Sequence, residues 1–479
     1  MKDKSLKINA FLNALKQGTT VIFPLIIIPY ISRVLGNENY GKINFGSSIT
    51  NYISIIAMLG VSTYAVVEGS KQKHDKEHLC KFMNEVFTIN MISTGLAYLF
   101  LGFVLVFCKQ VYFYRSLIII QSLPILFTTL GTDWVNNIFE DFKYTTIRYI
   151  CVQITALILI FLFVKDRSDF LIYVLIQSFA NVLSNIINII YIRNNYIKIK
   201  LTKKICLKKH YKPILLLFAN SLAVTIYVSS DITILTLFHG DIVTGVYSIG
   251  VKIYTIIKQL LNAVISVVIP RLSRYIGEAN ELGYKILIKK LMLIIFQIGL
   301  PSMVGLFILS KEILSIVAGF EYQTGFVSLS ILSVALIISL FTSVYVYGIL
   351  IPNGYQKQTL LATIIAAGFN ILFNLILIPK FSLNAAAFTT MLSELIVLIL
   401  GIYYSRNLNL FLIQFKETLP TLIGALLVAA ICIFSKNYFI NVYQVVFFSI
   451  FCSIFIYLII LLMFRDEGIC RILSLIKKK

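Results

Sequence analysis

Charge is scarce in this sequence: Asp, Glu, Lys and Arg together make up 13% of the 479 residues, about half the share found in a soluble globular protein. So few charges cannot cover a water-facing surface of ordinary size, which excludes a soluble domain architecture. Histidine is nearly absent, with four residues, and the seven cysteines (80, 108, 151, 206, 432, 452 and 470) include no C-x-x-C pair and never share metal-ligand spacing with a histidine. A structural disulfide, a metal site and a cofactor are therefore not expected. Period-two alternation is missing as well, which excludes membrane strands. Long polar loops are lacking too. The longest segment on the side away from the N-terminus, SKEILSIVAGFEYQT at 310–324, is too short for a domain, and this argues against an integral-membrane enzyme.

What the chain has in quantity is apolar length. Its residues are 58% hydrophobic and its mean hydropathy is +0.88. Crossing a ~30 Å hydrocarbon core takes about 20 residues, and runs of that kind cover 10–33, 43–67, 84–107, 113–132, 146–164, 170–192, 213–238, 243–269, 287–309, 326–351, 359–379, 383–404, 417–435 and 442–464. The pattern predicts an all-α membrane protein of about fourteen transmembrane helices, or twelve to thirteen if the polar interruptions in 113–132 and 146–164 count against those runs. The first span is expected to serve as its own insertion signal, with no cleavable peptide before it. Most of the 42 Lys and Arg residues fall on alternate loops, those sharing a side with the N-terminus, so the positive-inside rule puts both termini in the cytoplasm. The same rule accounts for the net charge of +21 and for basic runs such as Lys198–Lys212. They lie against anionic headgroups, and no nucleic-acid partner is expected.

Between the first two runs, SRVLGNENYGKINFG carries glycines at 36, 41 and 46, a spacing that suits neither a helix face nor a strand. At an offset of 204 residues these land on Gly240, Gly245 and Gly250 in FHGDIVTGVYSIG. Tight outer turns and close helix contacts are the physical reason to expect glycine there. Polar stripes repeat at the same offset. Ser248, Lys252, Thr255, Gln259, Asn262 and Ser266 recur at steps of four and three and so share one helix face; their counterparts are Asn44, Ser48, Asn51, Ile55, Met58 and Ser62. An even number of spans per repeat makes the copies parallel. The expected organisation is an N-lobe at 1–200 (helices one to six), a C-lobe at 201–410 (helices seven to twelve), and two further helices with a basic tail at 411–479.

Span one has a stripe of its own, Asn9, Asn13, Lys16, Gln17 and Thr20, with Lys16 mapping onto Asn220; span six adds Gln177, Asn181, Asn185 and Asn188. Short Ser and Thr side chains in such stripes serve interhelical hydrogen bonding equally well, whereas a continuous stripe that includes lysine points to a wet cavity. Lys252 sits about nine residues into its span, ~14 Å deep at 1.5 Å per residue, where an unhydrated, unpaired charge costs ~3 kcal/mol or more. Asp231 lies at nearly the same depth across the hairpin, as a structural partner or a coupling group. Lys258, also deep, is rotated about 120° from Lys252 and has no acid near it in sequence. Lys16 can reach the surface by snorkelling. Glu394 falls mid-span, with Asn370 at similar depth across a short turn, an arrangement suited to structural glue. Pro24 and Pro29 predict kinks in span one.

The residues RVLGNENYGKINFGSSI, then DITILTLFHGDIVTGVYSIGVK followed by VIPRLS, then IPNGYQKQTLLATIIAAGFNILFNLILIPKFSLNAAAFTTMLSE, resemble the polysaccharide repeat-unit flippases of the multidrug/oligosaccharidyl-lipid/polysaccharide exporter superfamily, over about residues 8–464. The resemblance implies translocation of an undecaprenyl-pyrophosphate-linked oligosaccharide, for capsule or O-antigen assembly, from the inner to the outer face of the bacterial cell membrane by alternating access. It also implies membrane lipids and the polysaccharide assembly machinery as partners, and a central cleft lined by helices one, two, seven and eight. The expected cleft residues are Lys16, Gln17, Asn44, Ser48, Asn51, Asn220, Lys252, Thr255, Lys258, Gln259 and Asn262, with Asp231 and Glu394 as candidate coupling groups for H+ or Na+. Lysines stand where relatives often use arginine, which favours point-charge attraction over a bidentate phosphate grip. An ion-coupled multidrug or small-solute antiporter of the same superfamily is the alternative; it would concentrate carboxylates in the cavity and usually stop at twelve spans.

Overall fold

The computed structural model describes residues 6–73, 75–203, 206–411 and 414–464, with side chains in the first helix from Leu15 onward. Asn9, Asn13 and Cys470 lie outside the described side chains. Among the described residues all regular structure is helical. The longer helices through the first half are α1 (Leu6–Met58), α2 (Val61–Lys71), α3 (Lys76–Phe107), α4 (Arg115–Gly131), α5 (Asp133–Ile138), α6 (Phe142–Phe163), α7 (Phe170–Asn195) and α8 (Leu207–Gly277). The second half adds α9 (Glu281–Ile308), α10 (Ser310–Val317), α11 (Phe326–Ser343), α12 (Gln356–Ser405), α13 (Phe415–Tyr438) and α14 (Val442–Met463).

Among the described residues, eleven helical segments are long and apolar enough to cross a membrane. Three of them are interrupted by one non-helical residue each, Gly36 in α1, Gly240 in α8 and Ser382 in α12. These are hairpins. The Thr236 and Thr244 hydroxyls meet at 2.9 Å although eight residues apart, a separation of ~12 Å along a straight helix. Thr389 likewise donates to Asn374, fifteen residues earlier. Counting both arms of each hairpin gives the fourteen spans expected from the apolar runs. Pro24 and Pro29 sit inside α1 without interrupting its helical dihedrals, and the break falls at Gly36 instead.

The 204-residue repeat is written into the backbone. Gly36 (φ 72°, ψ 172°) and Gly240 (φ 77°, ψ −175°) hold the same conformation, one in which a Cβ would be strained. The turns are therefore at 36 and 240, and Gly41 and Gly245 lie about one helical turn beyond them, at a close backbone approach. A Cβ on Gly41 would overlap the Asp241 carbonyl, and one on Gly245 would overlap the Asn37 carbonyl. Since 37 and 241 are themselves 204 apart, the contact is reciprocal. Tyr114 ties the same place together, donating to Asp241 at 2.8 Å while its ring packs on Phe45.

The chain packs as two compact units, one through Gly245 and one from Val246 onward. In the first, α2, α3, α5, α7 and the start of α8 enclose a core of Val61, Leu79, Phe82, Trp134, Ile192 and Ile214. In the second, α11 lies against α9 and α12, and α13 pairs with α14 and α9. Large apolar side chains such as Leu99, Val106, Phe113, Leu426 and Phe451 are turned outward. In water that surface would be a liability; in hydrocarbon it is the solvent-compatible face, which makes this a multi-pass membrane protein.

Candidate functional site

In the first unit the expected site residues separate by environment. Lys16 is half-buried on α1, with Asp133 and Arg148 as the charges it feels most. Gln17, Asn51 and Asn220 are exposed. Asn44 donates to the Tyr40 carbonyl of its own helix at 2.7 Å. Ser48 is buried and meets Thr233 of α8 at 2.9 Å, with the Tyr52 hydroxyl 3.1 Å from the same threonine. Asp231 is buried. The stripe is thus structural where it nears the packed turns and open farther along α1 and α8.

In the second unit Lys252 is exposed and makes no hydrogen bond or ion pair among the described residues. Gln259 is exposed one turn beyond Thr255, whose hydroxyl is spent on the Val251 carbonyl at 2.7 Å. Asn262 is half-buried with its Oδ1 enclosed and unpartnered. Lys258 behaves differently. Although no acid lies near it in sequence, its ammonium contacts Glu394 of α12 at 2.7 Å and the Tyr254 hydroxyl at 3.3 Å. The expected Glu394–Asn370 contact is replaced: Glu394 takes Lys258, while Asn370 accepts from Asn374 at 3.0 Å within a chain that ends on Thr389. A buried carboxylate needs a cation more than it needs an amide, and the fold supplies one from 136 residues away.

A charged cluster escaped the sequence reading. Arg148 of α6 is buried and donates through Nη2 to Asp133 at 2.7 Å, while Asn188 of α7 donates to the same carboxylate oxygen at 2.8 Å. Asn188 also accepts from Asn136 at 2.8 Å. Arg148 Nε and Nη1 remain enclosed without hydrogen-bond acceptors. With Lys16 nearby, two cations face one carboxylate, leaving positive charge and unspent guanidinium donors suited to an anionic oxygen. The polar interruption GTDWVNN between two apolar runs and the asparagine stripe of span six were the available signals.

A family model described as polysaccharide biosynthesis protein matches residues 6–276. The chain is 25% identical over 410 residues to a putative O-antigen transporter of Escherichia coli (strain K12), an alignment covering 84% of this chain and 97% of that protein. Among solved structures, the lipid II flippase MurJ in an inward closed conformation superposes with a TM-score of 0.71 at 17% identity, covering 96% of this chain and 99% of that one. An inward-facing multidrug resistance MATE family transporter of the MOP superfamily superposes at 0.55 and 15% identity, covering 81% and 97%. At those identities the structural matches establish the fold alone.

Proposed function

This chain belongs to the polysaccharide biosynthesis protein family, and on that premise we propose that it is a flippase carrying an undecaprenyl-pyrophosphate-linked oligosaccharide from the inner to the outer leaflet of the bacterial cytoplasmic membrane. It works by alternating access, with both termini in the cytoplasm and lobes at 1–200 and 201–410 followed by the last two helices. The observation that carries the reading is Lys252: an ammonium at mid-span that is exposed and has no ion-pair partner among the described residues. A charge at that depth costs ~3 kcal/mol or more unless water or an anion meets it, and a pyrophosphate-linked head is such an anion. In the first unit Lys16, Gln17, Asn51 and Asn220 offer polar side chains to the head, and in the second unit Lys252 and Gln259 do so, while the prenyl tail stays in lipid.

The antiporter alternative has less support. The carboxylate it would use in the second unit, Glu394, is already neutralised by Lys258 at 2.7 Å. Deleting the protein and identifying the lipid-linked saccharides of each leaflet tests the assignment. The expected result is one lipid-linked repeat unit accumulating on the inner leaflet with loss of the surface polymer. Unchanged surface polymer together with a changed tolerance of organic cations would overturn it in favour of the antiporter.

A further inference from the structure

Beneath the helices of the first unit is a cavity of about 360 Å³ that the transport reading does not use. Three cations border it, Arg193, Lys198 and Lys200, and none of its lining residues is acidic. Its walls are apolar, with Phe87, Ile189 and Ile199 among them. The segment carrying the two lysines is not loosely draped. Its backbone is pinned to α3 by Lys200 N–H donating to Asn84 Oδ1 at 2.7 Å and Thr202 N–H donating to Thr88 Oγ1 at 3.0 Å. Cys206 N–H continues the strap, donating to Glu85 at 3.3 Å. Asn84 and Thr88 are one turn apart on a single helix face, so the backbone that carries the lysines is held in one register before any ligand arrives.

From this arrangement we infer that the cavity binds an anionic phospholipid of the cytoplasmic leaflet, with its phosphate on Arg193, Lys198 and Lys200 and the upper part of an acyl chain against the apolar wall. Each feature selects for that ligand. Three uncompensated cations call for a phosphate-type anion, and basic pockets at the cytoplasmic ends of transmembrane helices are known headgroup sites. The apolar wall would contribute nothing to a free phosphate ion in water but suits a chain already in hydrocarbon. On the topology proposed above, on which this inference rests, the C-terminal end of α7 and with it the cavity face the cytoplasm.

The sequence supplies its own probe. Trp134 is the single tryptophan, buried in the same core cluster as Ile192, against which Phe87, Ile197 and Ile199 pack. In proteoliposomes of unlabelled phosphatidylcholine, phosphatidylglycerol with brominated acyl chains should quench Trp134 at far lower mole fraction than brominated phosphatidylcholine does. Each of Arg193→Gln, Lys198→Gln and Lys200→Gln should weaken that preference about fivefold, the equivalent of ~1 kcal/mol per cation, and the triple variant should quench equally with both lipids. Lys198→Arg with Lys200→Arg should keep the preference, which separates charge from misfolding. Equal quenching by the two lipids in the unaltered protein, or an unchanged preference in the triple variant, would overturn the assignment. So would displacement of the brominated lipid by excess inorganic phosphate, which would make the cavity a site for a soluble anion.

Discussion

Gly41 and Gly245, 204 residues apart, sit against each other's hairpins, so that a Cβ on either would come within 3.0–3.1 Å of the other's backbone nitrogen and would overlap the carbonyl of Asp241 or Asn37. Because the relationship is reciprocal, Gly41→Val and Gly245→Val should harm the protein alike, each by ~1–3 kcal/mol or more of packing strain. Thermal melting of the two purified variants checks this. One variant unfolding while the other matches the parent would deny the repeat its physical meaning.

Lys258 and Glu394 form a second relationship, and its test is a cycle. Removing one partner strands the other, so Lys258→Met or Glu394→Leu alone should destabilise by ~3 kcal/mol. The double change to Lys258→Met with Glu394→Leu should recover most of that loss, because a well-packed apolar pair can replace a buried ion pair. Membrane abundance and melting temperature of the three variants give the coupling. No recovery in the double variant would show that the two residues act separately.

Lys252 should respond in the opposite way. With no fixed partner to strand, Lys252→Ala should leave abundance and melting unchanged while nearly abolishing surface delivery of the saccharide, and Lys252→Arg should keep part of the activity. Loss of abundance in Lys252→Ala, restored by adding Asp231→Ala, would instead make it a structural residue.

Arg148 combines both behaviours. Its Nη2 holds Asp133 at 2.7 Å while its other donors are unspent. Arg148→Lys keeps the charge and one contact to Asp133 but loses the planar fork, so transport should fall while folding holds. Arg148→Ala should cost stability as well, by leaving Asp133 with Asn188 as its remaining hydrogen-bond donor among the described residues. Equal transport by the parent and Arg148→Lys would reduce Arg148 to a structural role.

Orientation has its own check. In a background without the native cysteines, single cysteines at Glu38 and Ile242, both exposed beside the Gly36 and Gly240 turns, should react with an impermeant reagent applied to whole cells. Cysteines at Lys203 and Asn280, exposed at the opposite ends, should stay shielded. Labelling of all four from outside would remove the fourteen-span topology.

The sequence by itself determined the solvent, the number of spans and the internal repeat. Scarce charge and apolar runs of membrane length leave a helical bundle as the workable structure, and a turn at positive φ favours glycine at both Gly36 and Gly240. The stripe containing Lys252 and Gln259 was legible for the same local reason, since helical periodicity alone sets which residues share a face. Tertiary structure decided the partners. Nothing within reach of Lys258 in sequence announces Glu394, and Asp133, Arg148 and Asn188 come from three separate helices. Which charges are answered within the fold and which are left to meet a substrate depends on distances between helices, and those are set by packing between segments 15, 55 and 136 residues apart, beyond any local pattern in the chain.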